Sequence, residues 1–338
     1  MLFFDKFFSP KSVAIVGASR TPGKLGYTIL ENLKYSFKGQ KYPINPNAEE
    51  ILGLKSYPSL LDVEEPIDLA VIVVPAEMVK KVIEEGIKKK IKAFTIISSG
   101  FLEIGEKERE LELKKLCETK KINIIGPNCI GIYKKDLDML FFPKKRLKRP
   151  PEGFISFITQ SGAFGSILLD IMANEGVGVS KFISIGNKVD VDEISLINYL
   201  EKDLATRCIA IYLESVRDGL EFIKTAKRVT KIKPIVCFKA GKTEKGSEAV
   251  ASHTGSMAGP AQVYSSAFKQ AGIIEAKTSD EIFDFSKALA NQPVLKENKI
   301  AVVTDGGGFG IVATDTAINC GLELPALTDA TIKSMKSF

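Results

Sequence analysis

The only histidine of the 338-residue chain, His253, lies in the glycine-rich stretch Ala251 to Gly259. Imidazole is the side chain whose unperturbed pKa leaves a neutral, nucleophilic nitrogen at pH 7. The glycines let the backbone move and present N–H groups to an anion, and Lys239, Lys242 and Lys245 make the predicted loop cationic. This stretch alone leaves two interpretations open. His253 is either transiently phosphorylated in a mobile loop or an ordinary packed or exposed loop histidine.

A second candidate site is the turn between the apolar strand Ile155 to Thr159 and the helix that follows it. Gln160, Ser161 and Gly162 form this turn. The unpaired N–H groups and the positive dipole end of a helix that begins here suit a phosphate or a phosphohistidine. Gly162 also suits close packing of the helix on the strand, and the two roles are compatible.

A near copy of this strand–turn–helix unit recurs at Ile300 to Gly310. Both copies keep a threonine before the turn, the pattern Gly-x-Phe-Gly within it, and an aspartate on the helix, Asp170 or Asp315. An internal repeat fixes architecture. This one predicts two related flavodoxin-like domains, the second opened by a strand at Ile300 to Thr304. Chance convergence of strand–glycine–helix units explains the shared residues less well.

An acidic residue, Glu214, directly follows the apolar strand Ile209 to Leu213. In a doubly wound parallel sheet, the residue after the carboxyl end of a strand lies on the side where ligands bind. Glu214 is therefore a candidate site residue. The alternative is a charge that caps the next helix.

The first third of the chain alternates apolar strands with helices, which predicts an α/β fold with a doubly wound parallel sheet. The loop Gly17 to Gly26 leads from a strand to a helix N-terminus, where an anion is favoured. Its glycines do not form the compact G-x-G-x-x-G of dinucleotide enzymes. The second strand ends at Asn45-Pro46 without the acidic residue that would hold an NAD ribose, so NAD is disfavoured.

The loops at the ends of these strands, including Val74-Pro75, Ser98-Ser99-Gly100 and Gly126 to Gly131, occur in an order that resembles the CoA-binding domain of the succinyl-CoA synthetase superfamily. Within it, the chain is most similar to the ADP-forming acetyl-CoA synthetases. The alternative is that each proline and glycine only makes a turn. The resemblance implies a Rossmann-like domain that binds CoA as a substrate. Its candidate contacts are Gly17, Ala18, Ser19, Lys24, Gly26, Asn45, Pro46, Val74, Pro75, Ser98, Ser99, Gly100 and Asn128.

The motifs around Ser161, Glu214 and His253 resemble the same family, with flavodoxin-like domains after the CoA domain. The resemblance implies that Glu214 hydrogen-bonds His253. A carboxylate on Nδ1 would fix the tautomer and leave Nε2 as the nucleophile. The implied reaction converts acyl-CoA, phosphate and ADP reversibly into the free acid, CoA and ATP through a phosphohistidine, with acetate or a similar small acid as substrate. Gln160, Ser161 and Gly162 would hold the phosphate.

Three domains are expected. Residues 1–145 form the CoA-binding Rossmann-like domain, residues 146–295 a flavodoxin-like domain with the active histidine, and residues 296–338 the start of a second, incomplete flavodoxin-like domain. The basic, proline-bearing segment Phe141 to Gly153 is expected to be a solvated linker. No second nucleotide-binding domain is recognisable. The resemblance therefore implies that ADP or ATP binds with Mg²⁺ on a beta-type ATP-grasp subunit, and that the two chains form a hetero-oligomer.

Composition excludes several classes of function. The net charge of +6 comes without an arginine-rich block, so nucleic acid is not implied. The five cysteines are scattered, with no second histidine to complete a metal site, and are expected to be reduced thiols of a cytoplasmic protein. No apolar run approaches the roughly 20 residues of a membrane span.

Two rival classes remain. One is a CoA-binding regulatory module, like the synthetase-like halves of certain protein acetyltransferases. Those halves commonly lack the phosphorylated histidine, so His253 argues against this class. The other is an NAD-dependent dehydrogenase, which the glycine spacing and the missing ribose carboxylate contradict.

Overall fold

The computed structural model describes residues 2–254, 261–293 and 297–337. Within these residues the strands are β1 (Ser12–Val16), β2 (Gln40–Ile44), β3 (Glu50–Ile51), β4 (Leu54–Lys55), β5 (Leu69–Ile72), β6 (Ala93–Ile96), β7 (Asn123–Ile125), β8 (Ile132–Lys134), β9 (Leu137–Asp138), β10 (Glu152–Thr159), β11 (Val179–Ser184), β12 (Cys208–Leu213), β13 (Ile235–Lys239) and β14 (Ile274–Ala276). The helices are α1 (Leu2–Phe8), α2 (Leu25–Ser36), α3 (Ala76–Lys88), α4 (Lys107–Lys120), α5 (Gly162–Asn174), α6 (Glu193–Leu200), α7 (Gly219–Val229), α8 (Glu244–Thr254), α9 (Ala261–Ala271), α10 (Ser279–Asn291), α11 (Gly307–Asn319) and α12 (Asp329–Met335).

The first sheet is parallel and has the strand order β2-β1-β5-β6-β7. Strands β1, β5 and β6 are buried along their whole length, as expected of a parallel sheet covered by helices on both faces. The chain runs outward from β1 to β2 and then crosses to β5 on the other side. This reversal opens a crevice beyond the carboxyl ends of β1 and β5, which is the place where ligands bind in such sheets.

The second sheet has the order β14-β13-β12-β10-β11-β8-β9. Strands β10 to β14 pair in parallel, whereas β8 is antiparallel to β11 and β9 is antiparallel to β8. The two antiparallel strands come from Ile132 to Asp138, ahead of residue 145. The chain therefore passes from the first sheet to the second between β7 and β8.

The segment Phe141 to Gly153 is only partly the solvated linker that its charges predict. Lys144, Lys145 and Arg146 are exposed. In contrast, Arg149 Nε lies 2.8 Å from Asp138 Oδ2, and the two side chains are only 8% and 0% exposed. Leu147 is also buried. The prediction was wrong here because β9 buries a carboxylate that needs a cationic partner.

Residues Gln292 to Phe338 form a compact unit separate from Met1 to Asn291. It contains α11 and α12, so the predicted helix of the second repeat is present. The predicted strand at Ile300 to Thr304 is not formed. In the described residues of this unit, β-pairing is limited to one bridge between Lys299 and Glu323. A strand needs neighbours to satisfy its N–H and C=O groups, and one bridge leaves this segment largely unpaired.

Among the described residues, no helix combines the length and the apolar composition needed to cross a membrane.

Candidate active site

A cleft of about 530 Å³ lies where the loops after the strands of the two sheets meet. It brings together five of the residues predicted to contact CoA and all three of those predicted to bind phosphate. These are Val74, Pro75, Ser98, Ser99 and Asn128 from the first sheet, and Gln160, Ser161 and Gly162 from the second. The remaining wall is apolar and consists of Leu25, Val73, Ile97, Cys129, Ile130, Phe141 and Ala163.

The other predicted CoA contacts belong to the loop after β1 or lie near it. Gly26 approaches Gly17 so closely that a Cβ on Gly26 would lie 2.0 Å from the Gly17 carbonyl oxygen. Asn45 Nδ2 donates to the carbonyl of Ala18 over 2.7 Å, which ties the end of β2 to this loop. Within the loop, Ser19 Oγ accepts the N–H of Thr21 over 3.0 Å.

Lys24, Pro46 and Gly100 also lie outside the cleft lining. Lys24 is the residue before α2, with an extended backbone. Pro46 is exposed just after β2. The N–H of Gly100 is not available to a ligand in this conformation, because it donates to Glu103 Oε1 over 2.6 Å.

The turn before α5 is fixed by three side chains. Ser161 Oγ caps the helix by accepting the N–H of Phe164 over 3.3 Å, and Thr159 Oγ1 donates to the Ser161 carbonyl over 2.7 Å. Gln160 Oε1 accepts the N–H groups of Glu214 and Ser215 over 2.6 and 3.0 Å. The Gln160 oxygen is therefore committed to the backbone, and only its amino group is a donor for an anion.

Glu214 lies at the carboxyl end of β12 and is 3% exposed. It does not cap the next helix, because Asp218 Oδ1 accepts the N–H of Glu221 at the start of α7. Burial raises the pKa of the Tyr212 hydroxyl, and the charge of Glu214 and a hydrogen bond to it add to this shift. Tyr212 in turn stacks on Phe164 of α5 at a centroid distance of 4.2 Å. Glu214 is thus connected to the turn before α5 in two ways: its backbone N–H donates to Gln160, and its partner Tyr212 stacks on Phe164.

Lys239 was predicted to belong to a cationic surface loop, but it ends β13 and is 1% exposed. It pairs in register with Leu213, the residue before Glu214. Its Nζ donates to the Ala240 carbonyl and lies 4.6 Å from the centre of the Tyr264 ring. Burial lowers the pKa of Lys239 to about 8, and the charge of Glu214 counteracts part of that shift.

His253 lies in the last turn of α8, so the prediction of a loop from Ala251 onward is wrong as far as Thr254. The run from Glu244 to Ala251 contains good helix formers, and a single Gly246 does not prevent the helix. The side chain of His253 and residues 255–260 lie outside the described part of the chain. The pairing of His253 with Glu214 therefore stays a prediction. Helix α8 contacts the 3₁₀ turn Leu102–Ile104, which follows the Ser98–Gly100 loop.

Models of two protein families match most of the chain. A CoA binding domain model matches residues 11–135, and a succinyl-CoA ligase like flavodoxin domain model matches residues 152–289. The alpha subunit of acetate–CoA ligase [ADP-forming] II from Pyrococcus furiosus is 42% identical over 338 residues, which are 99% of this chain and 73% of that subunit. The chain belongs to the ADP-forming acetate–CoA ligase family.

Other members of this family differ in length. The acetate–CoA ligase [ADP-forming] of Methanocaldococcus jannaschii is 45% identical over 97% of this chain, but the chain spans only 46% of that relative. The structure of Ca. Korarchaeum cryptofilum dinucleotide forming acetyl-coenzyme A synthetase 1 in complex with phosphate and ADP superposes with a TM-score of 0.92 at 42% identity, covering 99% of this chain and 72% of that one. The predicted fold, a Rossmann-like CoA-binding domain followed by a flavodoxin-like domain, is confirmed.

One feature of this family member was not predicted from sequence. Lys188 and Glu193 form a buried ion pair, with Nζ 2.9 Å from Oε2 and side chains 3% and 1% exposed. Lys188 Nζ also donates to the carbonyl of Ser215, the residue after Glu214. Burial lowers the pKa of Lys188 and raises that of Glu193, and each charge opposes the shift of the other. A Lys and a Glu five residues apart are unremarkable in a sequence, so no local signal marks this pair.

Proposed function

We propose that this chain is the acyl-CoA-handling part of an ADP-forming acyl-CoA ligase that acts on acetate or a similar small acid. The observation that carries the proposal is the cleft, where loops of a CoA-binding fold meet a helix N-terminus two residues beyond a strand. The thioester and the phosphate must bind side by side, because the phosphate attacks the thioester.

In the first step, a phosphate oxygen attacks the thioester carbonyl carbon. The C–S bond breaks, and CoA leaves as a thiolate that takes up a proton. The products are an acyl phosphate and free CoA. In our proposal, Val74, Pro75, Ser98, Ser99 and Asn128 line the path of the CoA thiol arm, and the loop Gly17 to Gly26 with Asn45 and Pro46 receives its phosphates.

In the second step, Nε2 of His253 attacks the phosphorus of the acyl phosphate, and the bond from phosphorus to the carboxylate oxygen breaks. The free acid leaves, and the phosphoryl group stays on the imidazole. The N–H groups at Ser161 and Gly162, aided by the dipole of α5 and the Gln160 amino group, stabilise the charge on the transferring phosphoryl group. Glu214 orients the imidazole and stabilises its positive charge.

In the last step, ADP accepts the phosphoryl group and becomes ATP. We propose that ADP binds with Mg²⁺ on a beta-type ATP-grasp subunit and that the two chains work as a hetero-oligomer. In this division, residues 1–145 bind CoA, residues 146–295 carry the phosphoryl chemistry, and residues 296–338 begin a further domain. All five cysteines are free thiols, which suits a reducing cytoplasm as the place of the reaction.

The test is incubation of the chain with acetyl-CoA and radiolabelled phosphate, followed by denaturing electrophoresis. We expect acid-labile label on the protein and none on His253→Ala. Label of equal amount and acid stability on His253→Ala would refute the phosphohistidine. Addition of ADP alone should give no sustained ATP formation without a partner subunit. Sustained ATP formation by the purified chain would contradict the assignment of the nucleotide site to a partner.

A further inference from the structure

The lining of the cleft contains both exposed and buried residues. Leu25 is 44% exposed and directly precedes Gly26, which touches Gly17 of the proposed phosphate loop. Cys129 and Ile130 are only 2% and 6% exposed. In the proposed binding mode, the phosphates of CoA occupy the Gly17 loop, and its thiol, with any acyl group on it, lies against the buried part of the lining at Ile130.

The backbone of Ile130 is held on both sides. Its N–H donates to Ser184 Oγ over 3.1 Å, and its carbonyl accepts the N–H of Phe141 over 3.3 Å. The next residue, Gly131, lies so close to Met139 that a Cβ there would be 2.3 Å from the Met139 carbonyl oxygen. The place of the Ile130 side chain is therefore set by the fold before any ligand binds.

The Ile130 side chain lies against the first residue of α5. A Cβ added to Gly162 would stand 2.5 Å from Ile130 Cγ2, so nothing larger than a hydrogen fits between them. This end of α5 is also where the phosphoryl group is proposed to sit. An acyl carbon bonded to that group through oxygen has the Ile130 side chain as its apolar neighbour, and a longer chain runs into it.

The charge of the cleft limits the acid in a second way. Among the described residues, every side chain that lines the cleft is uncharged. A second carboxylate on the acyl group would be taken out of water there without a cationic partner, which is unfavourable. The cleft therefore suits a monocarboxylic acid.

From these observations we infer that Ile130 sets the acyl specificity of this site. Its side chain admits short, unbranched acyl groups such as acetyl and excludes longer ones such as butyryl. The inference rests on the proposed function, because it takes the cleft to be the place of the thioester.

The test is isothermal calorimetry of the full chain with CoA, acetyl-CoA, butyryl-CoA and succinyl-CoA. We expect acetyl-CoA to bind about ten-fold more tightly than butyryl-CoA, because two extra methylenes against an apolar wall discriminate by about this factor. Ile130→Ala should reduce that ratio to about one. Ile130→Val removes less from the core and keeps the fold, and it should reduce the ratio part of the way. Ile167→Ala, which removes the same atoms from a residue of α5 that is 61% exposed, should leave the ratio unchanged.

Succinyl-CoA should bind weakly to both wild type and Ile130→Ala, because its limit is charge rather than length. If the acyl-CoAs bind but neither Ile130 variant changes the ratio of acetyl-CoA to butyryl-CoA, the inference is wrong and the proposed function stands. Tight binding of succinyl-CoA to wild type would refute the restriction to uncharged acyl groups. If neither CoA nor any acyl-CoA binds, the proposed function is wrong, and the inference falls with it.

Discussion

The loops after the strands of the first sheet line the cleft with neutral side chains, of which Ser98 and Asn128 are half-buried and Ser99 is exposed. The ends of the second sheet's strands and the loops beside them bury ionisable groups instead, with Glu214 at 3% and Lys239 at 1% exposure. Neutral side chains suit binding of a large, flexible ligand, because none of them needs a charged partner when the ligand covers it. Buried charges are costly and need partners, and buried ionisable groups are common where chemistry takes place. The comparison supports the proposed division, in which the loops after the first sheet's strands (the first edge) bind CoA and those after the second sheet's strands (the second edge) carry the phosphoryl chemistry.

The largest effect is expected from removal of the Glu214 charge. In Glu214→Gln, transfer of phosphate to His253 should slow by about 10⁴, the loss found when an orienting carboxylate is replaced by its amide in serine proteases. CoA affinity should stay unchanged, because Glu214 belongs to the other edge. Single-turnover labelling and calorimetry measure the two quantities. Asp218→Asn, at the true cap of α7, is the matched control and should leave the transfer rate intact. Unchanged transfer in Glu214→Gln would remove Glu214 from the chemistry.

The next effect is on stability. Lys188→Met leaves Glu193 buried without its cation and should lower the free energy of unfolding by about 3–5 kcal/mol. Lys224→Met breaks an exposed pair with Glu221, whose side chains are 78% and 47% exposed, and should cost less than about 1 kcal/mol. Urea denaturation followed by circular dichroism compares the two variants. Equal losses in the free energy of unfolding would mean that breaking the buried ion pair costs no more than breaking the exposed one.

A pH dependence should follow from Lys239, whose pKa burial lowers to about 8. Between pH 8 and the ordinary lysine pKa of about 10.4, the unfolded chain binds this proton and the folded chain does not. Stability contributed by Lys239 therefore rises with pH across that window, by about 1–3 kcal/mol in total. Urea midpoints of wild type and Lys239→Met should converge or cross as the pH rises from 7.5 to about 10. A constant difference between them would show that Lys239 keeps its proton.

The smallest effect is expected at the first edge. Ser99→Ala removes one exposed hydroxyl from the cleft and should weaken CoA binding by a few-fold, the value of one hydrogen bond. The rate of transfer from acyl phosphate to His253 should not change, since the hydroxyl belongs to the binding edge. Calorimetry with CoA and labelling from acetyl phosphate separate the two. A slower phosphoryl transfer in Ser99→Ala would contradict the assignment of Ser99 to CoA binding alone.

Much of the fold was predictable because the local sequence pattern of a parallel α/β unit is enough to identify its strand and its helix. Each apolar run that ends in Gly, Ser or Asn, such as Val13 to Gly17, marks a strand whose next residues lie at the ligand side. Five predicted CoA contacts and the three phosphate-side residues line one cleft for this reason. The same logic placed Glu214 at the end of β12.

What failed depends on residues far apart in the chain. From the sequence, Lys239 was predicted to be a surface cation. It is enclosed because Tyr264, which is distant in the chain, packs against it and because its strand pairs with the strand of Leu213. The ion pair of Lys188 needs the turn that brings it to Ser215. The strand expected at Ile300 to Thr304 has the right residues, yet a strand forms only where neighbours exist to pair with it.

The chain passes from the first sheet to the second beside the cleft. It runs between β7 and β8, through Asn128, Cys129 and Ile130, and not through the basic segment near residue 145. These three residues are also a wall of the cleft. The covalent joint between the two sheets is therefore built into the place where ligands are enclosed. A substitution at any of these three residues therefore acts on the enclosure of the ligand and on the connection between the sheets at once.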